Sequence, residues 1–259
     1  MKLPVLCLSL CLVAFSAVAA QAPATSPKPA TGTSTGTHPT THRMTTTDPA
    51  LLHPATLKGQ APPVFEATFV TTRGNFVVQV TRDWAPIGAD RFYNLVKHGF
   101  FTGAPFFRVV PGFVVQFGLT GSPAVNKAWQ NANIADEPVK SHNVPGSVTF
   151  AKSSMPNSRT TQLFINLGDN SDSLDPQDFA PFGKIISGMD VVEKIYPGYG
   201  QQPDQGAITS QGSAYFLKQF PNLDLIKSAS ITSPAPAASH TSGTATHHTT
   251  PAGGTKPTQ

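Results

Sequence analysis

Arg108, Phe113 and Gln116 stand out in this sequence for the chemistry they could do together. They lie in the run FFRVVPGFVVQFG, residues 106–118, which is otherwise almost wholly apolar. Arginine is a permanent cation with five donors and no acceptor, and glutamine brings an amide, so each needs a partner or a cleft. Pro111-Gly112 interrupts the run. Pro sets φ at about −65° and Gly supplies the positive φ of a type II turn, so the segment predicts a β-hairpin. Alternation puts Val114 and Gln116 on one face of the second strand while Phe113 enters from the turn. The three side chains can then line one apolar pocket with polar groups around it. The chemistry on offer is donation from a cation that does not titrate, an electrostatic device rather than an acid or a base. An ordinary core hairpin with an Arg reaching out of one edge fits the same residues, and the run alone leaves both readings open.

The elements that must position this hairpin can be read from pattern. Residues 65–71 and 75–80 carry β-branched and aromatic residues and join across Thr72-Arg73-Gly74, a first hairpin. Pro86 opens a helix whose Ala89, Phe92, Leu95 and Val96 recur at helical spacing and which Gly99 ends; its apolar face should cap a barrel or sandwich. After residue 118 comes a long polar loop, 119–145, holding Trp129 and Asp136-Glu137-Pro138. A loop of that length in a compact domain is expected to have work to do. Strands are predicted at 146–151 and 162–167 around an ordered loop, 152–161, with another strand at 182–186. A helix is predicted at 190–195 with Val191, Val192 and Ile195 inward, a short helix at 215–220 and a closing strand at 224–231. Many short strands with about two helices predict a mainly β fold: a closed, antiparallel, eight-stranded barrel capped by two helices.

Composition sets the limits of that domain. Sixteen of the seventeen Phe fall between Phe65 and Phe220, so residues 63–232 hold the core. Residues 1–20 have a Lys near the start, an apolar run and the small residues Ala17-Val18-Ala19-Ala20, the pattern of a secretory signal peptide cleaved after Ala19 or Ala20. Residues 21–62 and 233–259 are rich in Thr, Pro, Ala and Ser and read as a disordered linker and a disordered tail. Both cysteines, Cys7 and Cys11, lie in the signal, so the mature chain has no disulfide and must rely on its core. Export to a periplasm or secretion is expected, with no membrane span after cleavage. Residues 63–232 contain 13 Lys plus Arg and 13 Asp plus Glu, a balance that argues against a nucleic-acid surface despite a pI of about 9.1. An exported hydrolase is disfavoured too, since no GxSxG or HExxH occurs, and His98 and His142 read as surface residues.

The hairpin resembles the signature hairpin of the cyclophilin family of peptidyl-prolyl isomerases. The likeness continues through VTTRGNFVVQVTRDWAPIGADRFYNLV, TTQLFINLGDN and LDPQDFAPFGKIISGMDVVEKI, covering most of 65–196, and AVNKAWQNANI and FPNLDLIKSASI look like bacterial single-domain members. This resemblance implies an isomerase of X-Pro bonds in exported, folding proteins, with Arg108, Phe113 and Gln116 catalytic. It implies peptide contacts at Val114, Ala151, Lys152, Gln162, Phe164, Leu174 and Phe179, with Phe113, Val114, Phe164 and Leu174 walling a slot for the proline ring and Ala151 and its neighbours offering backbone groups. No metal or cofactor is implied; the partner is an extended or unfolded proline-containing polypeptide, and the protein should be a monomer. Departures lie at Lys152, where the family usually has Asn, at Phe179 and Phe107, often His, and at Ser173, where drug-sensitive members carry Trp, so tight cyclosporin binding is not expected. The rival reading is a non-catalytic proline-peptide binding or chaperone module of the cell envelope; another is a structural envelope protein using its Pro/Thr tails.

Overall fold

The computed structural model describes residues 47–232; the expected signal peptide, residues 21–46 of the expected linker and the tail at 233–259 lie outside the described residues. Eight strands form one antiparallel sheet: β1 (Val64–Thr71), β2 (Asn75–Thr81), β3 (Arg108–Val110), β4 (Val114–Phe117), β5 (Ser147–Phe150), β6 (Leu163–Asn166), β7 (Pro181–Ser187) and β8 (Ile226–Thr232). Their spatial order is β3-β4-β6-β5-β7-β2-β1-β8. The helices are α1 (Pro86–Lys97), α2 (Pro123–Trp129), α3 (Ser171–Leu174), α4 (Met189–Glu193), α5 (Gln205–Gln211) and α6 (Ser213–Gln219).

Period-two burial drives the first hairpin. Phe65, Ala67 and Phe69 of β1 and Phe76, Val78 and Val80 of β2 all turn inward and are fully buried. Phe69 and Phe76 stack with ring centroids 5.0 Å apart, and Phe92 of α1 meets Phe65, Phe69 and Phe182. The apolar stripe of α1 thus fills the concave side of the sheet, as its spacing requires. Beside this core, Phe107, Leu119, Ile208, Phe216 and Leu223 form a second apolar cluster under α5 and α6. Adjacent residues Phe106 and Phe107 serve different cores, because successive side chains point to opposite faces.

The structure differs from the expectation of a closed barrel. The sheet is open and curled, ending at β3 and β8. Its two ends approach through an isolated bridge, Pro105 with Leu225, flanked by the bonds Gly103 N to Ile226 O (2.8 Å), Ile226 N to Ala104 O (2.9 Å) and Phe106 N to Asp224 O (3.0 Å). β3 is only three residues long and Pro105 has no N–H to give, so a continuous ladder cannot form across this seam.

Helices were expected from Pro86, at 190–195 and at 215–220, two of them as caps, and the described residues contain more. The supposed loop 119–145 includes α2, begun by Ser122, whose hydroxyl accepts from Val125 N, with Pro123 in the first turn. α5 is begun in the same way by Asp204, which accepts from Ala207 N at 2.6 Å. Residues 47–62, assigned by composition to the linker, form a packed strap with two short 3-10 turns, Pro49–Leu52 and Pro54–Thr56. Leu51 is buried and its carbonyl accepts from Trp129 Nε1 at 2.8 Å; Asn94 exchanges two bonds with Gly59; Ala61 N donates to Asp90 at 2.8 Å. The anchoring groups sit on α1 and α2, remote in sequence, so local composition could not reveal them.

Candidate active site

β3 and β4 pair Arg108 with Gln116 and Val110 with Val114. The turn between them is closed by Phe113 N donating to Val110 O at 2.9 Å, with Gly112 at φ +73°. Val115 and Phe117 enter the main core, whereas Val114 and Gln116 face the other way. β6 runs beside β4 and sets Phe164 opposite Gln116. Val114, Phe164 and Leu174 then make a small buried cluster of their own, with Phe113, Ala151 and Phe179 packed against it. The rings of Phe164 and Phe179 meet edge to face at 5.8 Å.

The Arg108 guanidinium lies above this apolar floor. Its Cζ is 5.5 Å from the centre of the Phe113 ring, and Nη1 donates to Gln116 Oε1 at 3.1 Å. Gln116 Nε2 donates in turn to Gln162 Oε1 at 2.8 Å. The direction of this relay is forced: arginine can only donate, so Gln116 must turn its oxygen to it and its nitrogen onward. Burial pushes the Arg108 pKa below its ordinary value, and the group remains a cation at neutral pH.

Ala151 and Lys152 reach the site from the end of β5. Ala151 N donates to Gln162 O at 2.9 Å, which leaves the Ala151 carbonyl as the group it can offer a peptide. Lys152 carries its ammonium 5.7 Å from the centre of the Phe179 ring and 3.5 Å from Asp136 Oδ2. Gln116, Ala151, Lys152 and Gln162 line a cleft of about 350 Å³ that Gln205 borders, and Lys152 also borders a second hollow of about 470 Å³ with Asp136, Asp178 and Phe179. A larger hollow of about 580 Å³, between the strap, the end of α1 and α6, shares no lining residue with either.

A polar network behind the slot escaped the sequence reading. The Phe113 carbonyl accepts from Leu167 N (2.8 Å) and Asn170 Nδ2 (2.9 Å), which fixes the turn residue. Asn170 also donates to Asn166, Asn166 to Asn143, and Asn143 to Asp175 and to the Phe179 carbonyl. Burial pushes the Asp175 carboxyl up, but the bonds from Asn143 and His142 outweigh it and hold its pKa below the usual value. The Asn residues of TTQLFINLGDN, standing in an apolar strand and its exit, were the available signal. Gln201 was missed as well: its Oε1 accepts from Arg108 Nε at 2.8 Å, and nothing in the polar stretch around it marks it.

The arrangement is a fixed cation facing an apolar slot, with donors and acceptors along one rim. A family model described as "Cyclophilin type peptidyl-prolyl cis-trans isomerase/CLD" matches residues 67–211. The chain belongs to the cyclophilin-type peptidyl-prolyl cis-trans isomerases. Curated relatives include the peptidyl-prolyl cis-trans isomerase of Acinetobacter baylyi, 37% identical over 137 residues that cover 48% of this chain and 68% of the relative. Peptidyl-prolyl cis-trans isomerase A of Dickeya dadantii is 37% identical over 145 residues, 51% of this chain and 75% of that protein. Peptidyl-prolyl cis-trans isomerase B of Escherichia coli is 32% identical over 140 residues, 49% and 82% respectively. The fold is similar to that of a crystal structure of a Cryptosporidium parvum cyclophilin-type isomerase, with TM-score 0.50 and 19% identity, covering 66% of this chain and 99% of that one. The matched cyclophilin segment includes every residue of the hairpin, the slot and the rim, and leaves the strap and β8 outside it.

Proposed function

We propose that this cyclophilin accelerates X-Pro rotation in exported polypeptides, and that Arg108 does so by hydrogen bonding to the prolyl nitrogen as the amide twists. The resonance of a peptide bond sets a barrier of about 18–20 kcal/mol, and uncatalysed X-Pro exchange takes on the order of tens to hundreds of seconds. Twisting the C–N bond removes that resonance and returns a lone pair to nitrogen. A donor aimed there stabilises the twisted amide more than either planar form, which is what a catalyst must do. Val114, Phe164 and Leu174, with Phe113 over them, would hold the proline ring; the amide chain Gln116 to Gln162 would hold the peptide and the guanidinium. No bond is broken, so neither nucleophile nor proton carrier is required.

The observation that carries this reading is the guanidinium at 5.5 Å from the Phe113 ring and 3.1 Å from Gln116, beside a buried apolar cluster. Export rests on the character of residues 1–20. In a protease-coupled or exchange-NMR assay on an Ala-Pro or Gly-Pro peptide, Arg108→Ala should lose about 100-fold or more of the rate while keeping the circular dichroism and Tm of the parent. Undiminished turnover in the folded variant would reject the role.

A further inference from the structure

We infer that Gln201 is a positioning residue for the isomerase reaction, holding the Arg108 guanidinium from the side opposite Gln116 so that its remaining N–H groups are directed at the proline slot. The inference rests on the proposal that Arg108 is the donor to the twisted amide.

Two different nitrogens of the planar guanidinium are held by two different side chains: Nη1 by Gln116 at 3.1 Å and Nε by Gln201 at 2.8 Å. A guanidinium held by one acceptor can swing about that bond, whereas acceptors on both flanks fix the plane. Nη2 has no protein acceptor among the described residues, and with its flanks engaged it is the nitrogen left to meet a substrate.

Gln201 belongs to the connection between α4 and α5, and that connection is built to hold still. Gly200 O accepts from Val109 N at 3.0 Å, so the backbone one residue before Gln201 is tied to the backbone one residue after Arg108. A tight turn precedes it, with Gly200 N donating to Pro197 O and Gln202 N to Tyr199 O, both at 2.9 Å, and with Gly200 at φ +54°, a conformation suited to glycine. The Tyr199 ring is wedged edge to face between Tyr196 (5.2 Å) and Phe220 (5.0 Å). Tyr196 N is held at 2.8 Å by Asp224, whose carboxylate also accepts from Thr72 and Arg73 of the first hairpin turn. Gln201 is therefore presented to the guanidinium by a braced loop, while its own side chain is exposed. A hydrogen bond open to water adds little to stability, but it strengthens once a bound peptide covers it and excludes solvent. A positioning role thus predicts an effect on turnover out of proportion to any effect on folding.

The test uses the full chain with Gln201→Ala, Gln201→Glu and Arg108→Ala, measuring kcat and KM on an X-Pro peptide, Tm, and the NMR signal of the Arg108 Nε–H. Gln201→Ala should lower kcat about five- to ten-fold with KM changed by less than about two-fold. Tm should not move, and the Nε–H signal should broaden through faster exchange with water. Gln201→Glu keeps an oxygen in place and should restore most of kcat and the sharp signal. If Arg108→Ala abolishes turnover while Gln201→Ala leaves kcat and the Nε–H signal unchanged, the positioning role is wrong and Arg108 keeps its own. A fall in Tm that accounts for the loss, or failure of Gln201→Glu to restore it, also overturns the inference. Full turnover in Arg108→Ala removes the proposed mechanism and this inference with it.

Discussion

A donor does its best work on a lone pair when its charge is constant and its direction is fixed. Arg108 meets the first condition by its chemistry, since a guanidinium lowered in pKa by burial still does not titrate near neutrality. The rate on a neutral X-Pro peptide should accordingly be flat between about pH 6 and 9; a bell or a single steep step in that interval, followed by stopped-flow or NMR exchange, would implicate a histidine. His98 and His142 are instead paired with Asp48 and Asp175, each at 2.8 Å. The second condition depends on Gln116. Replacing it by Leu would leave Arg108 Nη1 and Gln162 Oε1 without their partners, and kcat should fall about ten- to 100-fold with little change in Tm. Gln116 was visible in sequence as an amide misplaced in an apolar strand. Asn166 and Asn170, in an apolar strand and at its exit, carried a weaker signal of the same kind; Gln201 and Asn143 carried none, because polar residues in polar or turn-like surroundings carry no local sign of what they will meet.

At the scale of elements, α1 lacks a capping residue of its own: Ala85 stands at its N-cap and contributes no side-chain bond. Glu137, from the long connection after β4, supplies the missing acceptors, taking Ile87 N at 2.6 Å and Gly88 N at 3.0 Å. It also receives Arg159 Nη2 at 2.9 Å, and Arg159 donates to the Ala135 carbonyl. Only 1% of Arg159 is exposed; its Nε and Nη1 make no hydrogen bond among the described residues, although Nε lies 3.8 Å from Asp136 Oδ1. Removing the Glu137 carboxylate would leave that charge only the longer contact with Asp136, so Glu137→Ala should cost about 3–5 kcal/mol in urea unfolding, and adding Arg159→Met should recover part of it. The strap should respond to acid. The bond from His98, then the Ala50 amide, holds Asp48 below the usual carboxylate range; burial pushes Asp90 up, but Arg82 and the Ala61 amide outweigh it. Groups with depressed pKa contribute stability above about pH 4, their unfolded value, and lose it as pH falls through the lower folded value. The protection of the Ala50 and Ala61 amides, measured against the intrinsic exchange rate at each pH, should therefore fall below about pH 4 ahead of that of the β2 amides; a uniform fall would disprove local release.

For the molecule as a whole, the open curled sheet leaves β3 and its hairpin at one end, where the α4–α5 connection and the second apolar cluster brace it. The strap closes a different side, bonded to α1 and α2. A chain beginning at residue 63 loses the burial of Leu51 and the strap's bonds, and should be about 2–4 kcal/mol less stable than one beginning at 47, with kcat on an X-Pro peptide unchanged. Equal Tm values for the two would show that the strap is packed without stabilising. The proposed export makes a separate prediction: if residues 1–20 are removed as a signal, N-terminal sequencing of the protein recovered outside the cytoplasm should begin at Ala20 or Gln21.

By themselves, the residues determined the β1–β2 hairpin, α1 and the turned hairpin of β3 and β4. Each is written in a local period, a breaker or a turn pair, and short-range sterics act on those wherever the chain lies. They also supplied the likeness that singled out Arg108, Phe113 and Gln116. Tertiary structure alone decided that the sheet stays open at Pro105, that a Pro- and Thr-rich stretch becomes a packed strap, that Glu137 caps a helix about fifty residues away, and that Gln201 reaches Arg108. Those outcomes are pairings between groups distant in sequence, and a hydrogen bond across such a distance exists only once the hydrophobic core has fixed where both ends stand.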